Sequence, residues 1–160
     1  MSLYIIMSKS VWGPATWYLL HSMVLKINDD APTAAITDLK KLIRSITTNL
    51  PCPSCSAHAT SHLSKLRFDS ISTVEGLRRF MYHFHNSVNE MLKKSTSLTY
   101  EQHIIMYDNM DLRLVIQNFM NIYNNMNSTN VTMMLYSFYR KKTLSDLNTF
   151  FVNNQKLYRL

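Results

Sequence analysis

The stretch STVEGLRRFMYHFHNSVNEMLKK, residues 72–94, decides how the rest of the chain is read. Ser72-Thr73-Val74-Glu75 has the pattern of a capping box, in which a hydroxyl and a carboxylate satisfy the free N–H groups of a starting helix. Leu77, Met81, Phe84, Val88 and Met91 then recur at steps of three and four, which places them on one helix face. Beside that stripe, Tyr82, His85, Asn86 and Asn89 share a second face. A solvent-facing helix side usually carries Lys and Glu. Neutral hydrogen-bonding and aromatic groups suit either a buried polar ligand, such as a heterocyclic ring, or a core histidine with two satisfied asparagines.

The helical period continues on both sides. Gly13-Pro14 reads as a helix start with Pro14 at the first helical position, where its missing N–H costs nothing. Ala15 to Lys26 follows, with Trp17, Leu20, His21 and Val24 on one face. Trp17 and His21, one turn apart, are either core or a stacking platform for a ligand. Asn28-Asp29-Asp30 with Pro32 marks the next start, and Ile36, Leu39, Ile43, Ile46 and Leu50 form a seam that suits the core or a partner helix. Pro51 ends that helix, and Cys52 to Leu66 reads as a third. Thr99-Tyr100-Glu101-Gln102 is a second capping box, opening a short helix that ends near Tyr107-Asp108. Leu112 to Met126 and Val131 to Lys142 also read as helical, with a linker-like Asn124 to Asn130 between them. No strand pattern or internal repeat appears, and the predicted class is all-α.

At 160 residues the chain is long enough for one domain with an appended segment. No apolar run approaches the roughly 18 to 20 residues of a membrane span, and the first residues lack the pattern of a secretory leader. The formal charge of +7 comes as scattered pairs such as Lys40-Lys41, Arg78-Arg79 and Lys93-Lys94, read as solvated helix faces without a nucleic-acid signature. Only two glycines are present, Gly13 and Gly76, so no Gly-rich phosphate loop can be written. A nucleotide cofactor would have to be held by side chains and helix faces.

The two cysteines, Cys52 and Cys55, sit three apart at a helix start. A disulfide closing so small a loop removes little chain entropy and staples the fold poorly. A helix N-terminus favours the thiolate, which disulfide exchange requires. Cys52, Cys55, His58 and His62 also offer a zinc tetrad, and a zinc-binding helical interaction module is the alternative reading. On a continuous helix, however, these positions fan over a wide arc. A thioredoxin-like use of the pair lacks its sheet.

Three motifs in order carry a resemblance: Trp12-Gly13-Pro14-Ala15-Thr16-Trp17-Tyr18-Leu19-Leu20-His21-Ser22, Leu50-Pro51-Cys52-Pro53-Ser54-Cys55, and His83 to Lys94. Together they resemble the Erv/ALR family of FAD-linked sulfhydryl oxidases, most closely the compact versions of large DNA viruses, over roughly residues 9 to 108. The resemblance implies a four-helix bundle with a short fifth helix holding FAD within residues 1–108, and leaves 109–160 as a helical extension of unassigned role. It implies a thiol oxidase in which a substrate dithiol reduces the Cys52–Cys55 disulfide through Cys52. Cys55, lying against the flavin, passes the electrons on, and O2 is reduced to H2O2. Carried over by position, Gly13, Trp17, His21, Tyr82, His83, His85, Asn86, Val88, Asn89 and Lys94 line the FAD site, Lys94 toward the phosphates, with Tyr107 as an aromatic of the fifth helix.

The family pattern also implies a homodimer through the first two helices, no metal, and for the viral forms the infected cell's cytoplasm or the virion. The sequence departs from the pattern at Lys93, where the family has Gly, and at Phe80, where it commonly has Trp. The additional cysteines of many relatives are missing. The expected partner is thus a dithiol protein substrate meeting Cys52 directly, or a separate Cys-containing relay protein.

Overall fold

The computed structural model describes residues 9–94, 98–126 and 131–159, without the side chains of 131–136. The helices in order are α1 (Lys9–Leu25), α2 (Thr33–Thr48), α3 (Pro53–Lys65), α4 (Val74–Met91), α5 (Tyr100–Asp108), α6 (Leu112–Asn124) and α7 (Val131–Asn154). Single 3-10 turns lie at Phe68–Ser70 and Gln155–Leu157. Among the described residues no strand forms, and one isolated antiparallel bridge joins Ile27 to Tyr158. The observed class is the all-α class read from the sequence. No described helix is long and apolar enough to cross a membrane.

Three boundaries differ from the sequence reading, each for a reason of burial. Helix α1 starts at Lys9, so Pro14 lies inside it. A proline near a helix start forfeits one hydrogen bond, and the extra turn brings Trp12 into the core, 6% exposed. The cap of α4 is Thr73 rather than Ser72: its hydroxyl accepts the Gly76 N–H at 2.9 Å, and Val74 becomes buried as the first helical residue. Gly76 is needed there, because a Cβ would lie 2.9 Å from Thr73 Oγ1 and 3.0 Å from Ile71 Cγ2. Helix α7 continues past Lys142 to Asn154, since Leu144, Leu147 and Phe150 keep an apolar face buried on a helix that packs against α2. The second capping box forms as read, with Thr99 and Gln102 each capping the other's backbone. Part of the linker-like stretch, 127–130, lies outside the described residues.

Helix α1 is the centre of the packing. Every residue from Leu19 to Ile27 is buried, and α4, α5 and α6 all pack against α1. Helix α2 lies on α3 and α7, and Ile36, Leu39, Ile43 and Ile46 of its seam are buried within this one chain, whereas α2 ends at Thr48 and Leu50, expected on the same face, is half-buried beyond it. The last carbonyls of α1, closed off from water, take donors from distant segments. Arg78 of α4 donates to the carbonyls of Val24 (2.9 Å), Leu25 (3.3 Å) and Ile27 (2.9 Å) and pairs with Asp29 at 2.7 Å. Arg159 donates to Leu25 O as well, and Lys26 Nζ donates to Asp108 O at the end of α5. Arg78 belongs to one of the scattered basic pairs, yet its side chain is only 14% exposed and serves the fold.

Helix α4 ends in a Schellman closure: Lys93 N–H donates to Glu90 O (3.0 Å) and Lys94 N–H to Asn89 O (2.9 Å). This closure puts Lys93 at φ 55°, in the left-handed region that favours glycine. The residue that departs from the family pattern therefore occupies the position where glycine costs least.

Lys93→Gly is expected to raise stability by roughly 0.5–1 kcal/mol by relieving this backbone penalty. A denaturant titration with an unchanged midpoint would refute it. Arg78→Lys is expected to cost about 2–3 kcal/mol, because one ammonium cannot span three carbonyls and a carboxylate. A loss below about 0.5 kcal/mol by the same titration would show that the guanidinium fork is dispensable.

Candidate active site

The first turn of α3 sets the redox pair. Pro53 occupies the start of the helix and Cys52 is its N-cap, with Sγ accepting the Cys55 N–H at 3.2 Å and lying 3.2 Å from Ser54 Oγ. The approach to this turn is fixed by Ser56, whose hydroxyl accepts the Leu50 N–H at 2.9 Å. Cys52 and Cys55 are joined as a disulfide. Both are half-buried, but their surroundings differ: Cys55 opens on a cavity of about 190 Å3 that Cys52 does not line.

Four helices wall that cavity, α2 through Thr47 with Leu50 just beyond its end. Helix α1 contributes Trp12, Gly13, Thr16, Trp17 and Leu20, and α4 contributes Phe84, Val88, Met91 and Leu92. Helix α3 adds Ser54, His58 and Ala59 beside Cys55. The lining is mostly apolar, so a planar ring placed there gains from dispersion and loss of water contact. Packing within the protein does not demand glycine at 13, where a Cβ would meet only Lys9 Cγ at 3.8 Å.

Behind Trp17 lies a stack of neutral rings. The Trp17 indole and His85 imidazole stack at 3.9 Å and 11°, and His21 lies against both. His21 Nε2 and His85 Nδ1 are 2.8 Å apart, one donating to the other. Helix α5 closes the group with His103 edge-on to His21 at 4.3 Å and Tyr107 at 4.2 Å. Burial holds the imidazoles of His85 and His103 down to about pKa 4, and His21, more deeply buried, well below its ordinary value; His103 and His85 nearby add to the effect on His21. Burial likewise pushes the Tyr107 hydroxyl up to about 12. Two buried ring nitrogens, His21 Nδ1 and His103 Nε2, have no hydrogen-bond partner among the described residues.

The sequence-predicted residues thus fall into three groups. Cys55, Gly13, Trp17 and Val88 line the cavity. His21, His85 and Tyr107 form the ring stack behind it, with Tyr82 beside His103 at 5.2 Å and its hydroxyl donating to Leu98 O at 2.7 Å. Asn86 and Asn89 are half-buried, with carboxamides that take no partner among the described residues, while His83 and Lys94 are exposed. Sequence reasoning missed His103, although it stands four residues before Tyr107, the spacing already noted for Trp17 and His21. It weighed His58 only as a zinc ligand and gave Thr16 no role, although both line the cavity. His62 is turned to Ser87 of α4, with Nδ1 3.1 Å from the hydroxyl. Among the described residues no three His, Cys, Asp or Glu side chains gather as a metal site.

The model of the Erv1 / Alr family matches residues 14–110. A protein of Invertebrate iridescent virus 3, provisionally named an FAD-linked sulfhydryl oxidase, is 34% identical over 85 residues, 52% of this chain and 57% of that protein. A second, from Invertebrate iridescent virus 6 and named in the same way, is 34% identical over 93 residues, 52% of this chain and 81% of its own length. The FAD-linked sulfhydryl oxidase of an African swine fever virus isolate is 30% identical over 83 residues, 52% of this chain and 69% of its own. The matched stretch therefore spans little more than half the length of the first of these relatives. No solved structure matches the chain.

The ring stack carries a pH signature. Unfolded histidines bind protons near pH 6.5, whereas His85 and His103 resist protonation down to about pH 4 in the fold. Their stability contribution is full above about pH 6.5 and is lost as pH falls toward 4. The thermal midpoint is expected to drop across that window, and His103→Gln should make the drop shallower. An equally steep profile in that variant would show that His103 is not held neutral.

Proposed function

The chain belongs to the Erv1 / Alr family, and from that premise we propose that it is a flavin-linked thiol oxidase forming disulfides in protein substrates. The observation that carries this reading is the disulfide on the first turn of α3, with Cys55 opening on an apolar cavity walled by Trp17 and Cys52 outside its lining.

The residues fit FAD. The cavity is apolar and planar-walled, the imidazoles behind it are neutral, and two buried ring nitrogens and two half-buried carboxamides lack partners among the described residues. Gly13, Trp17, Phe84 and Val88 would hold the flavin ring. Tyr82, His85, His103 and Tyr107 would supply aromatic walls for the rest, and Asn86 and Asn89 hydrogen bonds. Lys94 and His83, exposed on or just beyond α4, would face the phosphates. His21, sealed behind Trp17, acts through the ring stack. When bound, the flavin supplies a two-electron acceptor for the reduced cysteines, with O2 as final acceptor giving H2O2.

The chain's own residues perform the exchange. A substrate thiolate attacks Cys52 Sγ, the sulfur that does not line the cavity; the Cys52–Cys55 bond breaks, leaving a mixed disulfide on Cys52 and a thiolate on Cys55. The backbone N–H groups of the α3 start favour that thiolate. A second substrate thiolate attacks the mixed disulfide at the substrate sulfur, forming the substrate's disulfide and returning Cys52 as a thiol once it takes up a proton. Within these 160 residues there is no second cysteine pair; the dithiol in this reading is that of a protein substrate or of a Cys-containing relay protein.

The purified protein is expected to be yellow, absorbing near ~450 nm and releasing FAD on denaturation; a colourless protein overturns the reading. Cys52→Ala and Cys55→Ala should each reduce oxygen-dependent oxidation of dithiothreitol to the uncatalysed level. Cys52→Ala alone should add long-wavelength absorbance from a free Cys55 thiolate beside the flavin. Full oxidation by both variants would remove the pair from the mechanism.

A further inference from the structure

Helix α6 lies beyond the stretch matched by the family model, yet it packs against α1 more extensively than any other helix. Its buried face is Leu112, Phe119 and Tyr123, and the Phe119 and Tyr123 rings stack at 4.0 Å. A phenol this deep must find a polar partner. Tyr123 finds Thr16 of α1, with 2.8 Å between the hydroxyl oxygens.

The direction of this bond follows from the other bond Thr16 makes. Thr16 Oγ1 donates to Trp12 O at 2.7 Å, which uses its one hydrogen, so the Tyr123 O–H is the donor to Thr16. Burial holds the phenol protonated by raising its pKa. A directed chain results: Tyr123 to Thr16 to the Trp12 carbonyl. Thr16 and Trp12 both line the cavity on which Cys55 opens, next to Trp17 and Gly13 respectively on the same helix. With its hydrogen given to α1 and its oxygen engaged by α6, the Thr16 hydroxyl has no call to turn toward the cavity, and the wall stays apolar.

We propose that Tyr123 is a positioning residue for the flavin site, acting through Thr16, and that the segment beyond the family-matched region is a working part of that site. The proposal rests on the flavin reading above. Removing the phenol oxygen leaves the Thr16 oxygen buried without its donor. The side chain then gains from turning to the cavity or admitting water, and either change makes the wall polar where an apolar ring must sit. Removing both hydroxyls takes away the conflict.

The test is a double-mutant cycle on the FAD-loaded full chain, using Tyr123→Phe, Thr16→Val and both together. FAD release is followed by recovery of free-flavin fluorescence, and the thermal midpoint of each FAD-free variant is measured beside it. Tyr123→Phe is expected to bind FAD about tenfold more weakly, whereas Thr16→Val and the double variant, which lack the hydroxyl that would turn to the cavity, stay within about threefold of the original chain. Equal FAD affinity in Tyr123→Phe overturns the proposal, as does a double variant weaker than either single one, which would mark Tyr123 as packing alone. A chain that takes up no FAD even before substitution overturns the flavin reading and this proposal together. FAD held by the original chain and equally by Tyr123→Phe overturns only the proposal.

Discussion

Enclosing α1 is the constraint on which the rest of the molecule turns. Helices α4, α5 and α6 leave its second half no route to water, and a buried carbonyl without a donor costs about 1–3 kcal/mol. The carbonyls of Val24, Leu25 and Ile27 therefore draw Arg78 from α4 and Arg159 from the C-terminal tail, while Lys26 reaches the end of α5. Because each donor belongs to a different segment, the same bonds that satisfy α1 also fix where those segments stand. The cavity between α1, α2, α3 and α4 inherits its shape from this arrangement, and so does the ring stack that α5 closes.

The ring stack follows from enclosure by the same logic. A charged imidazole among Trp17, Tyr107 and two other histidines would lose its hydration with no counter-ion to replace it. The neutral form is favoured, and the bond between His21 Nε2 and His85 Nδ1 needs at least one ring whose facing nitrogen is unprotonated and accepts. The result is a wall of heteroaromatic faces with hydrogen-bonding edges and no net charge. Such a wall suits a heterocycle better than an ordinary apolar core would, since it can satisfy polar ring atoms while still stacking.

Much of this was legible in the sequence. The period of α4 gave the buried Leu77, Met81 and Phe84 and the polar second face, because each depends only on spacing along one helix, while Val88 and Met91, at the end of the same stripe, line the cavity instead of the core. The Cys pair read correctly as a helix start, since Pro53 and the cap are local. The missed features depend on contacts between distant segments. His103 looked like one residue of a short helix until α5 was laid over His21. Pro14 read as a helix start because its missing N–H is a local cost, whereas the burial of Trp12 that extends the helix past it is a tertiary gain. The seam on α2 could be read as core or as a face for a partner helix, and only the tertiary packing, with α3 and α7 against α2, shows its Ile36, Leu39, Ile43 and Ile46 buried within this chain.

The asymmetry of the two sulfurs then needs no specialised acid or base. Both sit on one turn, and the backbone alone directs Cys55 to the cavity and leaves Cys52 outside its lining. An apolar cavity opposes a thiolate, while the helix start favours one. Besides Cys55, the ionisable groups lining the cavity are Lys9 and His58. A negative sulfur there depends chiefly on the N–H groups of α3, which are fixed in place and carry no proton that titrates. The exchange is thus governed by where the helix begins, and the helix begins at Cys52 because Pro53 and the Ser56–Leu50 bond leave the chain no other way to enter it.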